Sequence, residues 1–210
     1  MQIAGENDPD LPVAGDLHDT ELLRSKMEDF ARLSTPDIRG SALLKLSALL
    51  TNEWLLREAE HAIDVAEGYF PEDLGAALVP IARKHIEIGD WSTAERVLRK
   101  AAAFAESIEG DWQKAEVLCR IGKALAEAGL VDEGCQLLES SAEIARHGQE
   151  SGSPQDRIDC SSVLWETSVA FAICDRENDA NRLVGWITDF GKRKRAQDQI
   201  LALRALRQSS

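Results

Sequence analysis

Glu58 and His61 stand three residues apart, the spacing at which one helix face presents a carboxylate and an imidazole to a metal. A di-iron bundle needs that pair twice, with two further inward glutamates, and the chain holds no second copy. His61 therefore reads as a residue of a polar helix face, and no metal or cofactor is expected. His85 falls on the packing side of its helix and reads as a satisfied core histidine. His147 falls at a helix end, where a cation is mildly favoured. Cys119, Cys135, Cys160 and Cys174 form no Cys-x-x-Cys and have no histidine at zinc-ligand spacing. Each sits in an apolar helical setting. They read as reduced, mostly buried small hydrophobes of a cytoplasmic protein, with a disulfide between two helices left open. Gly-x-Ser-x-Gly, a glycine-rich phosphate loop and His-Glu-x-x-His are all missing, so no catalytic role is expected. The one basic run, Lys192-Arg193-Lys194-Arg195, reads as cations complementing a helix terminus rather than as an anion contact.

Charge narrows the choice of partner. The 24 Lys and Arg stand against 37 Asp and Glu, a net charge of −13. Such a chain repels nucleic acid and anionic membranes at long range, so neither is expected as a partner. No apolar run approaches the ~20 residues of a spanning helix. Residues 1–19 carry Glu6, Asp8, Asp10, Asp16 and Asp19 with no Lys or Arg, and read as a flexible acidic tail. They lack the basic start and apolar stretch of a secretory signal. Residues 20–210 read as one domain.

From Thr20 onward apolar residues recur at spacings of three and four, with no β-branched alternation. The expected class is all-α. Thr35-Pro36 and Ser153-Pro154 mark helix starts, and Gly89-Asp90 and Gly129 mark helix ends. Small residues then pair twelve apart: Ser47 with Ala59, Ala82 with Ala94, Gly122 with Gly134, Ser168 with Ala180. Leu43, Leu78, Leu118 and Leu164 each precede the first member by four. This predicts a helix hairpin repeated four times, its two backbones drawn together where both side chains are small. The first members are 35, 40 and 46 residues apart, so the later hairpins gain length from longer helices or inserted loops. His147 to Gln155 is polar and reads as the insertion. Leu23, Met27 and Phe30 predict a capping helix over 20–33, and Ile200, Leu203 and Leu206 predict a second cap over 195–207.

Gly75 to Ala101 resembles a tetratricopeptide repeat: Leu78, Ala82, the turn Gly89-Asp90, Trp91, Ala94 and the closing Lys100-Ala101. Ala115 to Ser141 keeps Leu118, Gly122, Gly129 and Gly134. Two flanking units, Gly40 to Pro71 and Ser161 to Ile187, are degenerate. The second of them has Asp175-Arg176 in place of Gly-Asp. The longer units are similar to those of kinesin light chains and bacterial peptide-sensing regulators. The resemblance covers about residues 40–190 and implies an α-solenoid of about four hairpins with helical caps. It also assigns Trp91 to packing within its repeat. Trp54, Trp112 and Trp186 read as packing residues near helix ends.

In the resembled family the first helix of each hairpin lines a concave groove that holds an extended or helical segment. Carried over, the groove residues are Lys45, Ala48 and Asn52, then Val79, Arg83 and Glu87, then Glu116, Arg120, Lys123 and Glu127, then Trp165, Glu166 and Val169. Lys45, Arg83, Arg120 and Lys123 would form a modest basic cluster suited to an acidic or phosphorylated segment or a C-terminal carboxylate, with Trp165 as apolar anchor. Arg83–Glu87, Glu116–Arg120 and Lys123–Glu127 equally stand as i,i+4 surface pairs of only ~0.2–0.5 kcal/mol each. Leu49 follows Lys45 by one turn where chaperone-clamp members carry an asparagine, so that activity is not implied. The expected function is a non-catalytic protein-binding scaffold or adaptor, monomeric or homodimeric. The alternatives are a peptide-sensing regulatory module and a self-assembling repeat. The acidic tail would be an internal competitor for the groove.

Overall fold

The computed structural model describes residues 20–33, 35–66 and 68–209, so the tail expected over 1–19 and its competition for a groove lie outside the described residues. Among the described residues there are ten helices and no strand. They are α1 (Thr20–Ala31), α2 (Pro36–Asn52), α3 (Leu56–Val65), α4 (Pro71–Glu87), α5 (Trp91–Glu106), α6 (Asp111–Glu127), α7 (Val131–Ser151), α8 (Pro154–Ile173), α9 (Glu177–Trp186) and α10 (Phe190–Gln208).

α2–α3, α4–α5, α6–α7 and α8–α9 pack as the four hairpins, and the pairs twelve apart sit at their crossings. Ser47, Ala59, Ala82, Ala94, Ser168 and Ala180 are all buried. Ser47 Oγ donates to Ala59 O across 2.9 Å. At the α6–α7 crossing a Cβ on Gly122 would lie 2.8 Å from Gly134 O, and one on Gly134 2.6 Å from Gly122 O. Those contacts are backbone against side chain, so only glycine fits on either side.

The four hairpin turns repeat one geometry. Seven residues after the first small residue, Trp54, Gly89, Gly129 and Asp175 each take a left-handed φ, of 63°, 77°, 84° and 61°. The next amide closes the turn by donating to a carbonyl five residues back: Leu55 to Leu50, Asp90 to His85, Leu130 to Leu125 and Arg176 to Phe171, at 2.9–3.0 Å. This is a Schellman-type end to each first helix. The two degenerate units therefore keep the turn without its glycine.

The later hairpins lengthen through their helices. α7 has 21 residues and α8 has 20, and only Gly152 and Ser153 separate them. The insertion expected at His147 to Gln155 is instead helix on both sides of that short turn, because its polar residues have partners. Gln149 Nε2 donates to Ser161 Oγ at 3.1 Å, and His147 Nδ1 lies 2.8 Å from Asp111 Oδ2. Ser153 and Asp156 form a reciprocal capping box at the start of α8. Thr35 makes no side-chain cap at the start of α2.

Successive first helices pack on one another, α2 on α4, α4 on α6, α6 on α8 and α8 on α10. The second helices are joined instead by side chains. Arg96 clasps Glu60 with two bonds of 2.7 and 2.8 Å, and Lys100 reaches both Glu60 and Asp64, tying α5 to α3. Arg99 lies 3.6 Å from Glu133, and Arg182 2.7 Å from Glu139, continuing the row to α7 and α9. Arg146 and Arg182 also sit over the Trp186 ring, 5.3 and 5.4 Å from its centre.

α1 buries Leu23, Met27 and Phe30 and packs on α2 and α3. α10 buries Ala196 and Ile200 against α8 and α9. Leu206, expected inward, is 65% exposed, because Arg204 and Arg207 anchor that end of α10 to Glu177 and Asp175. The basic run opens α10 rather than closing the fourth hairpin. Its cations reach backward all the same: Arg193 donates to Ile187 O just past α9, and Lys192 to Ile158 O and Ser162 Oγ. Trp91, expected inside its repeat, is instead 51% exposed as the first residue of α5, at the end of the hairpin turn.

Candidate interaction face

The residues assigned to a groove fall on the layer of first helices. Lys45 and Ala48 are exposed on α2, and Asn52 ends that helix exposed. Val79 is buried in the core and offers nothing to a partner. Arg83 on α4 reaches across to Glu127 at the end of α6, 3.0 Å away. Lys123 on α6 reaches Glu166 on α8, at 3.5 Å. Trp165 Nε1 on α8 donates to Gln199 Oε1 on α10 across 2.8 Å. Arg120 keeps the expected partner one turn back, Glu116, at 2.5 Å.

Two of the three expected i,i+4 pairs are thus replaced by pairs between helices. Glu87 is taken by Lys84 instead, at 3.0 Å. Stacking makes these pairs available: α6 packs on α4 and α8 on α6, so each cation meets a carboxylate of the next helix. The chemical result matters more. Arg83, Arg120 and Lys123 each face a carboxylate, so the basic cluster becomes a face of alternating and nearly balanced charge. Each pair is substantially exposed and contributes about 0–1 kcal/mol. An anionic segment would have to displace a carboxylate at each position, whereas a polar segment could hydrogen-bond alongside.

Between α6 and α8 lies a cleft of about 110 Å³ lined by Trp112, Glu116, Cys119, Asp159, Ser162, Val163 and Glu166. Cys119 forms its floor. Burial pushes its thiol up to about 11, and does the same for Cys160 and Cys174. Cys174 alone among the four cysteines is partly exposed, and its thiol lies against that of Cys135. A protonated thiol is a poor nucleophile. At pH 8 Cys119, Cys160 and Cys174 should therefore react with iodoacetamide about a hundredfold more slowly than a free cysteine, Cys174 first of the three. Rapid labelling of Cys119 by mass spectrometry would contradict that order.

Glu58 and His61 line a wider cleft of about 660 Å³ between α1 and α3, with Arg24, Glu28 and Arg57 around a floor of Leu23, Met27 and Val65. Among the described residues no group of three His, Cys, Asp or Glu side chains is placed to hold a metal ion. His85 is buried with its Nδ1 3.1 Å from Asp90 Oδ2, which is the satisfied histidine expected. Among the described residues no helix is long and apolar enough to cross a membrane. The side-chain row along the first helices escapes a sequence reading because its partners stand 44, 43 and 34 residues apart. For its two ion pairs the signal exists only as opposite charges at neighbouring repeat positions. No family model matches this sequence, nor does any curated protein or solved structure.

Proposed function

We propose that this chain is a tetratricopeptide-like α-solenoid serving as a non-catalytic protein-interaction scaffold. A segment of the partner would lie along α2, α4, α6 and α8. The observation that carries the reading is the row Arg83–Glu127, Lys123–Glu166 and Trp165–Gln199, which links each first helix from α4 to α10 to the next. A face held in this way binds without reordering its own side chains, which lowers the entropic cost of association. Its balanced charge favours a polar segment with an apolar anchor for Trp165 over a strongly acidic one.

The test is affinity capture from the native extract, with wild type as bait beside Arg83→Glu/Arg120→Glu/Lys123→Glu and Trp165→Ala. The expected result is a partner held by wild type and lost from both variants, while circular dichroism shows both still folded. A partner retained by both variants would remove this face from the reading. Light scattering on the same samples separates an adaptor from a self-assembling repeat.

A further inference from the structure

α7 and α8 run antiparallel, and two contacts fix their register. Near the end of α7, Gln149 Nε2 donates to Ser161 Oγ at 3.1 Å. Near its middle, Ser141 Oγ lies 3.5 Å from Thr167 Oγ1. Each step back along α7 is thus met by a similar step forward along α8. Cys135 stands six residues before Ser141, and Cys174 stands seven after Thr167. The register therefore brings these two cysteines face to face where α7 begins and α8 ends. Their thiols lie against each other. Cys135 is buried in the core shared by α7, α8 and α9, and Cys174 packs against the same cluster.

The two positions differ in access. Cys135 is only 6% exposed. Cys174 is partly exposed and walls an apolar notch of about 160 Å³ together with Val131, Ala170 and Ile173. It is also the C-cap of α8, directly before the left-handed Asp175. Helix ends fray, so its sulfur can swing towards Cys135 without unwinding α8. The other two cysteines lie inside helices against other kinds of neighbour. Cys119 sits beside Thr167, and Cys160 lies beneath Gly148.

We propose that Cys135 and Cys174 form a reversible disulfide that latches the third hairpin to the fourth. The oxidant is a low-molecular-weight disulfide. The Cys174 thiolate attacks one of its sulfurs, which forms a mixed disulfide on Cys174 and releases one thiolate of the oxidant. The Cys135 thiolate then attacks Cys174 Sγ, which forms the Cys135–Cys174 bond and releases the second thiolate. Two cysteine thiols are oxidised, and the small disulfide is reduced to two thiols that take up the two protons the cysteines gave to water. Access sets the order, because Cys174 is the sulfur the oxidant can reach. Packing sets the product, because Cys135 is held beside the mixed disulfide at a high effective concentration. Burial disfavours the Cys174 thiolate, so exchange is slow in both directions near neutral pH. The bond is therefore a lasting latch and not a rapid sensor. It closes a loop of about 40 residues and so restricts the unfolded chain. The proposal does not depend on the interaction face described above.

The test incubates the full chain with oxidised glutathione for hours, then counts thiols and maps unreduced peptides by mass spectrometry. Wild type is expected to fall from four free thiols to two, with the peptides of Cys135 and Cys174 joined. Cys135→Ala should stop at a glutathione adduct on Cys174, and Cys174→Ser should keep all its thiols. Oxidised wild type should melt roughly 10 °C above the reduced form, while Cys174→Ser melts alike before and after. Cys174→Ser changes a partly exposed site, so it serves as the control even if Cys135→Ala disturbs the core. Four thiols still free in wild type would overturn the proposal. So would a glutathione adduct persisting on wild-type Cys174, a mapped bond between any other pair, or a disulfide-linked dimer on a non-reducing gel. An oxidised form that melts no higher than the reduced one would remove the latch.

Discussion

Gly134→Ala is expected to destabilise the protein by about 2 kcal/mol, enough to lower its melting temperature by roughly 5 °C. The new Cβ would lie 2.6 Å from Gly122 O and 2.9 Å from Ala126 N, both backbone atoms that cannot rotate away. The hairpin has to open. Alanine gains about 1 kcal/mol over glycine in helix propensity, and overpacking against backbone costs about 1–3 kcal/mol or more, so the clash wins. Gly185 is the control. It lies in α9 with nothing within 4 Å of its would-be Cβ, so Gly185→Ala should stabilise by up to about 1 kcal/mol. The measurement is urea and thermal denaturation followed by helical circular dichroism. α6 contributes to both halves of the core, with Leu118 and Ile121 in one and Cys119 in the other. The Gly134→Ala transition should therefore also broaden, as neighbouring repeats lose their coupling. Equal stability of the two variants would show that α6 and α7 do not cross at these glycines.

Glu60→Gln is expected to cost about 2 kcal/mol at neutral pH and to remove part of the acid sensitivity of the fold. The Glu60 side chain is 13% exposed, held by both Arg96 nitrogens and by Lys100. The bonds from Arg96, outweighing burial, hold its carboxyl at about 2 rather than 4.5. A lowered folded pKa stabilises above the unfolded value. The wild type therefore keeps the full contribution above pH 4.5 and loses it as pH falls towards 2, while the variant has none to lose. The full shift would correspond to about 3 kcal/mol, and the exposure of Arg96 reduces it. Stability curves of the two proteins should converge as pH falls through that window. Parallel curves would mean that Glu60 does not link α3 to α5.

How much of this was readable in advance depended on range. The pairs twelve apart, such as Gly122 with Gly134, were legible because two backbones can cross closely only where both side chains are small, and a hairpin sets the separation between them. The repeat register followed, and with it the capping role of Leu23, Met27 and Phe30. Trp91 was misread because its helical neighbours do not show whether the first residue of a helix turns inward. The run from His147 to Ser151 was misread for a related reason. Its polarity suggests a loop, but Asp111 and Ser161, from two other helices, supply its partners.

The candidate site shows the same division more sharply. Sequence alone determined that the chain is helical and that four hairpins repeat, while the resemblance put Arg83, Arg120 and Lys123 on one face with Glu116, Glu127 and Glu166. Helix period and small-residue spacing are properties of the local backbone, and they survive without knowledge of the rest. Only the tertiary structure decided that Arg83 pairs with Glu127 rather than Glu87, and Lys123 with Glu166 rather than Glu127. Each choice lies between carboxylates of similar intrinsic affinity, and the distance between stacked helices settles it.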